Sequence, residues 1–167
     1  MAIVKRLLRA LLLLALLVFI IIQFFHPPKN ESLDESVGIA ARFVVPDDVG
    51  AILKTSCYDC HSNYSNYPWY SKIQPVDWWL DHHIQEGKGE LNFSVFADYS
   101  PGRQYRKFTE IKEQVEKGEM PLEVYTSLHK EAILNVQQMK VLAEWSVAMK
   151  DTMEKHYPMD SLQRKKN

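Results

Sequence analysis

The sequence predicts an all-α chain, a membrane-spanning N-terminal helix followed by one small helical domain. Three observations carry this expectation. An unbroken apolar run, ALLLLALLVFIII, fills Ala10 to Ile22. Further along, apolar residues recur three and four positions apart, the spacing of one helix face. No β-branched alternation lasts long enough for a sheet, and no internal repeat is visible. The 167 residues, 46% hydrophobic and 25% charged, have room for one domain and an appendage. The formal net charge of -1 argues against a nucleic-acid partner.

Lys5, Arg6 and Arg9 stand before the apolar run, and Gln23, Phe24 and Phe25 follow it. As a helix, Leu7 to Phe25 would rise about 28 Å, close to the ~30 Å of a bilayer's hydrocarbon core, with Arg9 snorkelling to the headgroups. The run ends in QFFHPPKNES, bulky where a signal peptidase needs small residues, so the segment reads as a retained anchor. All the basic residues precede it. By the positive-inside rule the N-terminus stays cytoplasmic, and the chain after Pro27 lies on the periplasmic side of the inner membrane. The expected divisions are an anchor over 1–26, a tether over 27–46, the domain over 47–152 and a polar tail over 153–167.

Within the tether, Pro27 and Pro28 stiffen the exit from the membrane and no sustained period follows. Asp47 or Asp48 can cap a helix with Val49, Ile52, Leu53 and Ser56 on one face, running directly into Cys57. SNYSNYPWYSKIQPV is irregular, and Pro75 opens a short aromatic helix, VDWWLDHHIQEG, that stops at Gly87. RKFTEIKEQVEKG sets Phe108, Ile111 and Val115 on one face and ends on Gly118 as a cap. Asn135 and Gln138 form a capping box. The helix they open presents Val136, Met139, Ala143 and Val147, with Leu142, Trp145 and Met149 beside them, and ends near Asp151. HYPMDSLQRKKN is polar enough to fray.

The only two cysteines lie in TSCYDCHSNYSNYPWY, with His61 directly after the second. Cysteines two residues apart suit a redox dithiol, half a zinc site or the two thioether attachments of haem c, and the last needs a histidine immediately after the second cysteine. On one helical turn Cys57 and Cys60 can reach both vinyl groups on one edge of a porphyrin, while His61 offers iron a neutral imidazole as proximal ligand. Zinc would want a second pair of ligands, and His82, His83 and His129 form no obvious one. A redox dithiol would want a βαβ context. A Cys57–Cys60 disulfide would close a very small loop and leave His61 unexplained.

A helix entering CYDCH, irregular chain after it, a downstream methionine and a closing helix carrying Trp145 together resemble a c-type cytochrome. More closely, SCYDCHSNYSNYPWY, QPVDWWLDHHIQEGK, LNFSVF, KGEMPL and YTSLHKEA resemble a bacterial haem-binding domain family whose members follow a single N-terminal anchor. The resemblance runs from about Val49 to Trp145. It implies a small cytochrome c-like helical fold around one covalent haem per chain, attached at Cys57 and Cys60 and ligated by His61, and hence contact with haem attachment machinery.

Met120 is the candidate distal ligand, flanked by the capping Gly118 and by Pro121, whose fixed φ restricts the loop. Met139 and Met149 read as core residues, and Met153 and Met159 fall in the tail. His82, His83 and His129 are the rivals for the iron. Trp69, Tyr70, Trp78 and Trp79 could wall a haem pocket or simply pack the core. His/Met ligation leaves no open coordination site, so electron transfer to an unidentified redox partner is the expected function and no enzyme activity is expected. The alternatives are a haem-based redox or gas sensor, and a peroxidase-like enzyme for which no distal acid/base constellation is visible.

Overall fold

A computed structural model describes residues 1–163 of the chain. The described residues are helical, with no strand among them and a single isolated bridge between Glu31 and Tyr64. Helices α1 (Ala2–Ile22), α2 (Asp47–Ser56), α3 (Tyr58–His61), α4 (Val76–Glu90), α5 (Pro101–Glu116), α6 (Glu123–Leu128), α7 (Val136–His156) and α8 (Met159–Leu162) follow in order, with 3₁₀ turns at Ile39–Ala41, Trp69–Lys72, Phe93–Asp98 and Lys130–Ala132.

Helix α1 buries nothing. It stops at Ile22, short of the expected Phe25, because Gln23 turns into the protein. Its Oε1 accepts from the Gln74 backbone N–H at 2.9 Å and its Nε2 donates to the Gln74 carbonyl at 3.2 Å. Lys5, Arg6 and Arg9 occupy the other end, so the uncharged stretch from Ala10 to Ile22 rises only about 20 Å. Among the described residues no helix is long and apolar enough to cross a membrane; the expected span from Leu7 to Phe25 is not formed as one helix.

Residues 27–46, expected as a tether, belong to the domain. Asn30 is buried and donates to the Ser62 carbonyl and Ser65 Oγ, both at 2.9 Å. Ile39 and Phe43, four apart on one turn, enter the core. Phe43 meets Phe96 and Phe108 edge to face at centroid distances of 5.7 and 4.9 Å, a geometry that suits the charge distribution of aromatic rings.

The buried face of α2 is the expected one, Val49, Ile52, Leu53 and Ser56, although Pro46 occupies the N-cap and both aspartates lie in the first turn. Helix α5 buries Phe108, Ile111 and Val115 and closes on Gly118 at φ +68, where a side chain would be strained. Helix α7 opens with the Asn135–Gln138 capping box and packs along α5. Its buried stripe is rotated from the expected one. Leu142, Ala143, Trp145, Ser146 and Met153 face inward, while Val136 and Val147 are exposed. The indole of Trp145 donates to the Val44 carbonyl at 3.0 Å, turning the helix by its largest side chain.

The tail does not fray where it is described. Helix α7 continues to His156, Met153 is buried in the core, and α8 lays Leu162 against α5. The last four residues of the expected 153–167 tail, 164–167, lie outside the described residues. Leu162→Ala should therefore cost about 2–5 kcal/mol, whereas Val136→Ala should change stability by less than ~0.5 kcal/mol. Guanidinium unfolding of the two variants checks the difference.

Candidate cofactor site

Cys57 sits at the joint between α2 and α3, and its φ of -129 turns the chain off the α2 path. The His61 N–H donates to the Cys57 carbonyl at 3.0 Å, closing a single turn that carries Tyr58, Asp59, Cys60 and His61. The turn is held by α4. A Cβ on Gly87 would lie 2.7 Å from the Cys60 carbonyl oxygen, so only glycine admits this approach. Gly87 was expected to end the helix, yet α4 runs on to Glu90 and uses Gly87 as a contact point.

The imidazole of His61 completes the junction. Its Nδ1 lies 2.9 Å from the Gly87 carbonyl, which also accepts the Leu91 N–H, and 3.0 Å from the Leu91 carbonyl just past the end of α4. Both partners are acceptors, so Nδ1 carries the proton and Nε2 keeps its lone pair. Burial lowers the His61 pKa below the usual imidazole value, opposed by the Leu91 and Gly87 carbonyls, and the ring stays neutral at pH 7.

Both thiols are free. Burial, helped by Cys60, pushes Cys57 up to about 12, and burial followed by Asp59 pushes Cys60 up to about 11. They are therefore protonated at neutral pH and poor nucleophiles for disulfide exchange.

Two adjoining cavities of about 550 and 400 Å³ open here and share Ser56, Cys57, His61, Glu90, Met120 and Pro121 in their walls. The smaller reaches the core at Leu53, Phe93, Ile111, Val115 and Leu142. The larger is bounded by Cys60, His83, Glu86 and Tyr125. An apolar floor beneath a few polar groups is the usual make-up of a cofactor pocket. Buried Lys107 also borders the smaller cavity, its Nζ 2.5 Å from Glu110 Oε2 and 3.3 Å from Glu90 Oε2.

The cavity walls bring Cys57, Cys60, His61 and Met120 together. Met120 follows the Gly118 cap on the α5–α6 loop, which is fastened by Glu119 N–H donating to the Gln114 carbonyl at 2.9 Å. Tyr125 on α6 ties this loop to the cysteine turn, its hydroxyl donating to Asp59 Oδ2 at 2.7 Å. Burial and then this hydrogen bond raise the Tyr125 pKa, keeping the phenol a donor.

The rival histidines separate. His82 is exposed and pairs with Glu86 at 3.3 Å. His129 has both ring nitrogens engaged, Nε2 with the Tyr70 hydroxyl at 2.6 Å and Nδ1 with Glu131 at 3.3 Å. His83 alone of the three borders a cavity, with Nδ1 on the Trp79 carbonyl at 2.9 Å. Trp69, Tyr70, Trp78 and Trp79 line neither cavity and do not wall the site. Among the described residues no group of three or more His, Cys, Asp or Glu side chains is placed to hold a bare metal ion. Sequence reasoning passed over Tyr125, Asp59 and Lys107, which acquire their roles only through long-range contacts, and it mistook the purpose of Gly87.

A family described as haem-binding domain matches the chain over residues 17–148. No curated protein and no solved structure matches it.

The close approach at Gly87 separates two neighbouring glycines. Gly87→Ala should lower unfolding stability by about 1–3 kcal/mol through overpacking against Cys60. Gly89→Ala meets nothing within 4 Å and should be neutral or stabilising by up to ~1 kcal/mol. Denaturant titration of both variants measures the contrast.

Proposed function

Because the chain belongs to the haem-binding domain family, we propose that it carries one haem c, attached through Cys57 and Cys60 with His61 as proximal and Met120 as distal iron ligand, and that it transfers electrons at a membrane surface. The single observation that supports this reading best is the hydrogen bonding of His61. Two carbonyls engage Nδ1, Nε2 has no partner among the described residues, and the residue borders a cavity lined also by both cysteines and Met120.

The residues present fit the group. The two adjoining cavities together offer an apolar floor for a flat macrocycle, two unpaired thiols for thioether bonds to its vinyl edge, and a tautomer-fixed imidazole. Haem supplies a one-electron iron couple. His61, held by the end of α4, would give it a fixed ligand with little reorganisation, and the soft thioether of Met120 would favour the reduced state. Phe93, Leu142 and Val115 line the floor and exclude water from it. If His61 and Met120 both held the iron, no position would remain for a substrate, which supports a carrier over an enzyme.

Helix α1 supplies the membrane attachment in this reading. Its side chains bury nothing in the domain, and its basic residues all lie toward the N-terminus. Orientation by the positive-inside rule puts α1 in the inner membrane and the haem domain on the periplasmic side, where a redox partner protein and the attachment machinery meet it. Snorkelling Arg9 and interfacial Phe24 and Phe25 offset the short apolar length.

Acid-acetone extraction should leave the haem on the protein; haem recovered in the organic phase overturns thioether attachment. Met120→Ala should abolish the sulfur-to-iron absorption band, lower the reduction potential and admit carbon monoxide. If Met120→Ala keeps the native spectrum while His83→Ala loses it, the distal ligand is histidine. Rapid carbon monoxide binding by the unaltered protein would favour a ligand-sensing role.

A further inference from the structure

The junction where α1 meets the domain is built as a clamp. Gln74 is fully buried, and its Nε2 donates to the Phe25 carbonyl at 2.7 Å while its backbone holds Gln23. The Trp78 indole donates to the same carbonyl at 2.8 Å. Asp77, 1% exposed, receives His26 on Oδ2 and Lys29 on Oδ1, each at 2.7 Å. Buried polar clusters of this kind persist only when their members satisfy one another, and they fix geometry. The chain leaving α1 is thereby bound to the first turn of α4 and cannot swing.

Around this clamp the large apolar side chains stay uncovered. Phe24 is 80% exposed, Phe25 61%, Trp78 and Trp79 41% each and Ile73 37%. Trp78 meets the chain leaving α1 at the Phe25 carbonyl, Ile73 and Trp79 flank Trp78 in sequence, and the apolar residues of α1 themselves face solvent. Trp78 spends its one donor on the clamp, which leaves the ring face outward. A patch of large apolar groups continuous with an exposed apolar helix calls for an apolar cover, and amphipathic aromatic rings gather at the level of lipid headgroups. Lys72, exposed beside Ile73, adds a cation suited to anionic headgroups.

We propose that Phe24, Phe25, Ile73, Trp78 and Trp79 form an aromatic collar that seats the haem domain in the headgroup layer of the same bilayer that receives α1. This rests on the membrane placement of α1, and it adds that the domain lies on the lipid surface instead of standing off on a tether. The α5–α7 side carries a separate groove at Met139 and Val147.

The full-length holoprotein in bilayer discs of phosphatidylcholine and phosphatidylglycerol, doped with a phospholipid bearing a headgroup-level diazirine, tests this by photolysis and peptide mass mapping. Lipid adducts are expected on the peptides carrying Phe24–Phe25 and Ile73–Trp79. In Trp79→Ser, adducts on the latter peptide should fall toward the level found on α7 peptides. Adducts on α1 with none on Ile73–Trp79 overturn the collar and leave the anchor reading standing. Adducts on neither overturn both, and equal labelling of the α7 peptides overturns the collar as a specific surface.

Discussion

The arrangement of this domain depends on one contact, the meeting of the cysteine turn with the last turn of α4. Three constraints act there together. Gly87 lets two backbones approach more closely than any side chain would allow. The Gly87 carbonyl accepts the Leu91 N–H as the helix closes. His61 adds a second donor to that carbonyl and reaches the Leu91 carbonyl just beyond it. An imidazole so placed has its tautomer, ring plane and charge state decided before any ligand arrives, which is the preorganisation that a metal-binding nitrogen requires. Other elements follow from this junction. Helix α2 fixes the entry of the turn through Leu53, and the Met120 loop is drawn over it by Tyr125 and Asp59.

The polar groups around the site divide into those that are spent and those that are available. Asp59, His129 and Tyr70 are engaged in hydrogen bonds that join α6 to the cysteine turn and to the preceding 3₁₀ turn. Lys107, buried between Glu90 and Glu110, is likewise committed. Against this background the unpaired thiols and the second His61 nitrogen stand out as the unused chemistry at the cavities of a chain that belongs to the haem-binding domain family.

Much of this could be read from the residues. The α2 face, the α5 face, the Gly118 cap and the α7 capping box are local signals, set by periodicity and by backbone groups seeking partners within a few positions. Cys57, Cys60 and His61, singled out by spacing, and Met120, singled out by the rigid residues beside it, do border adjoining cavities. What escaped was non-local. Gly87 looks like a helix stop until another backbone is found against it, and Ile39 and Phe43 look like linker until Phe96 and Phe108 receive them. The α7 face was misjudged because Val136 and Val147 fit the helical period as well as Trp145 does. Only the partner helix distinguishes them. The expected N-terminal helix ran to Phe25 whereas α1 ends at Ile22, because hydropathy does not register that Gln23 bonds to a residue 51 positions away.

Helix α4 performs two tasks at opposite ends. Its first turn grips the chain leaving α1, through Asp77 and Trp78, and its last turn grips His61, through Gly87 and the adjoining Leu91. Fifteen residues of continuous helix, a rod about 22 Å long, connect the two grips with no loop between them. Loops absorb displacement, whereas hydrogen-bonded helices transmit it. The chain leaving α1 and the imidazole are thus held by opposite ends of one continuous helix, so the distance between them is set by its length alone.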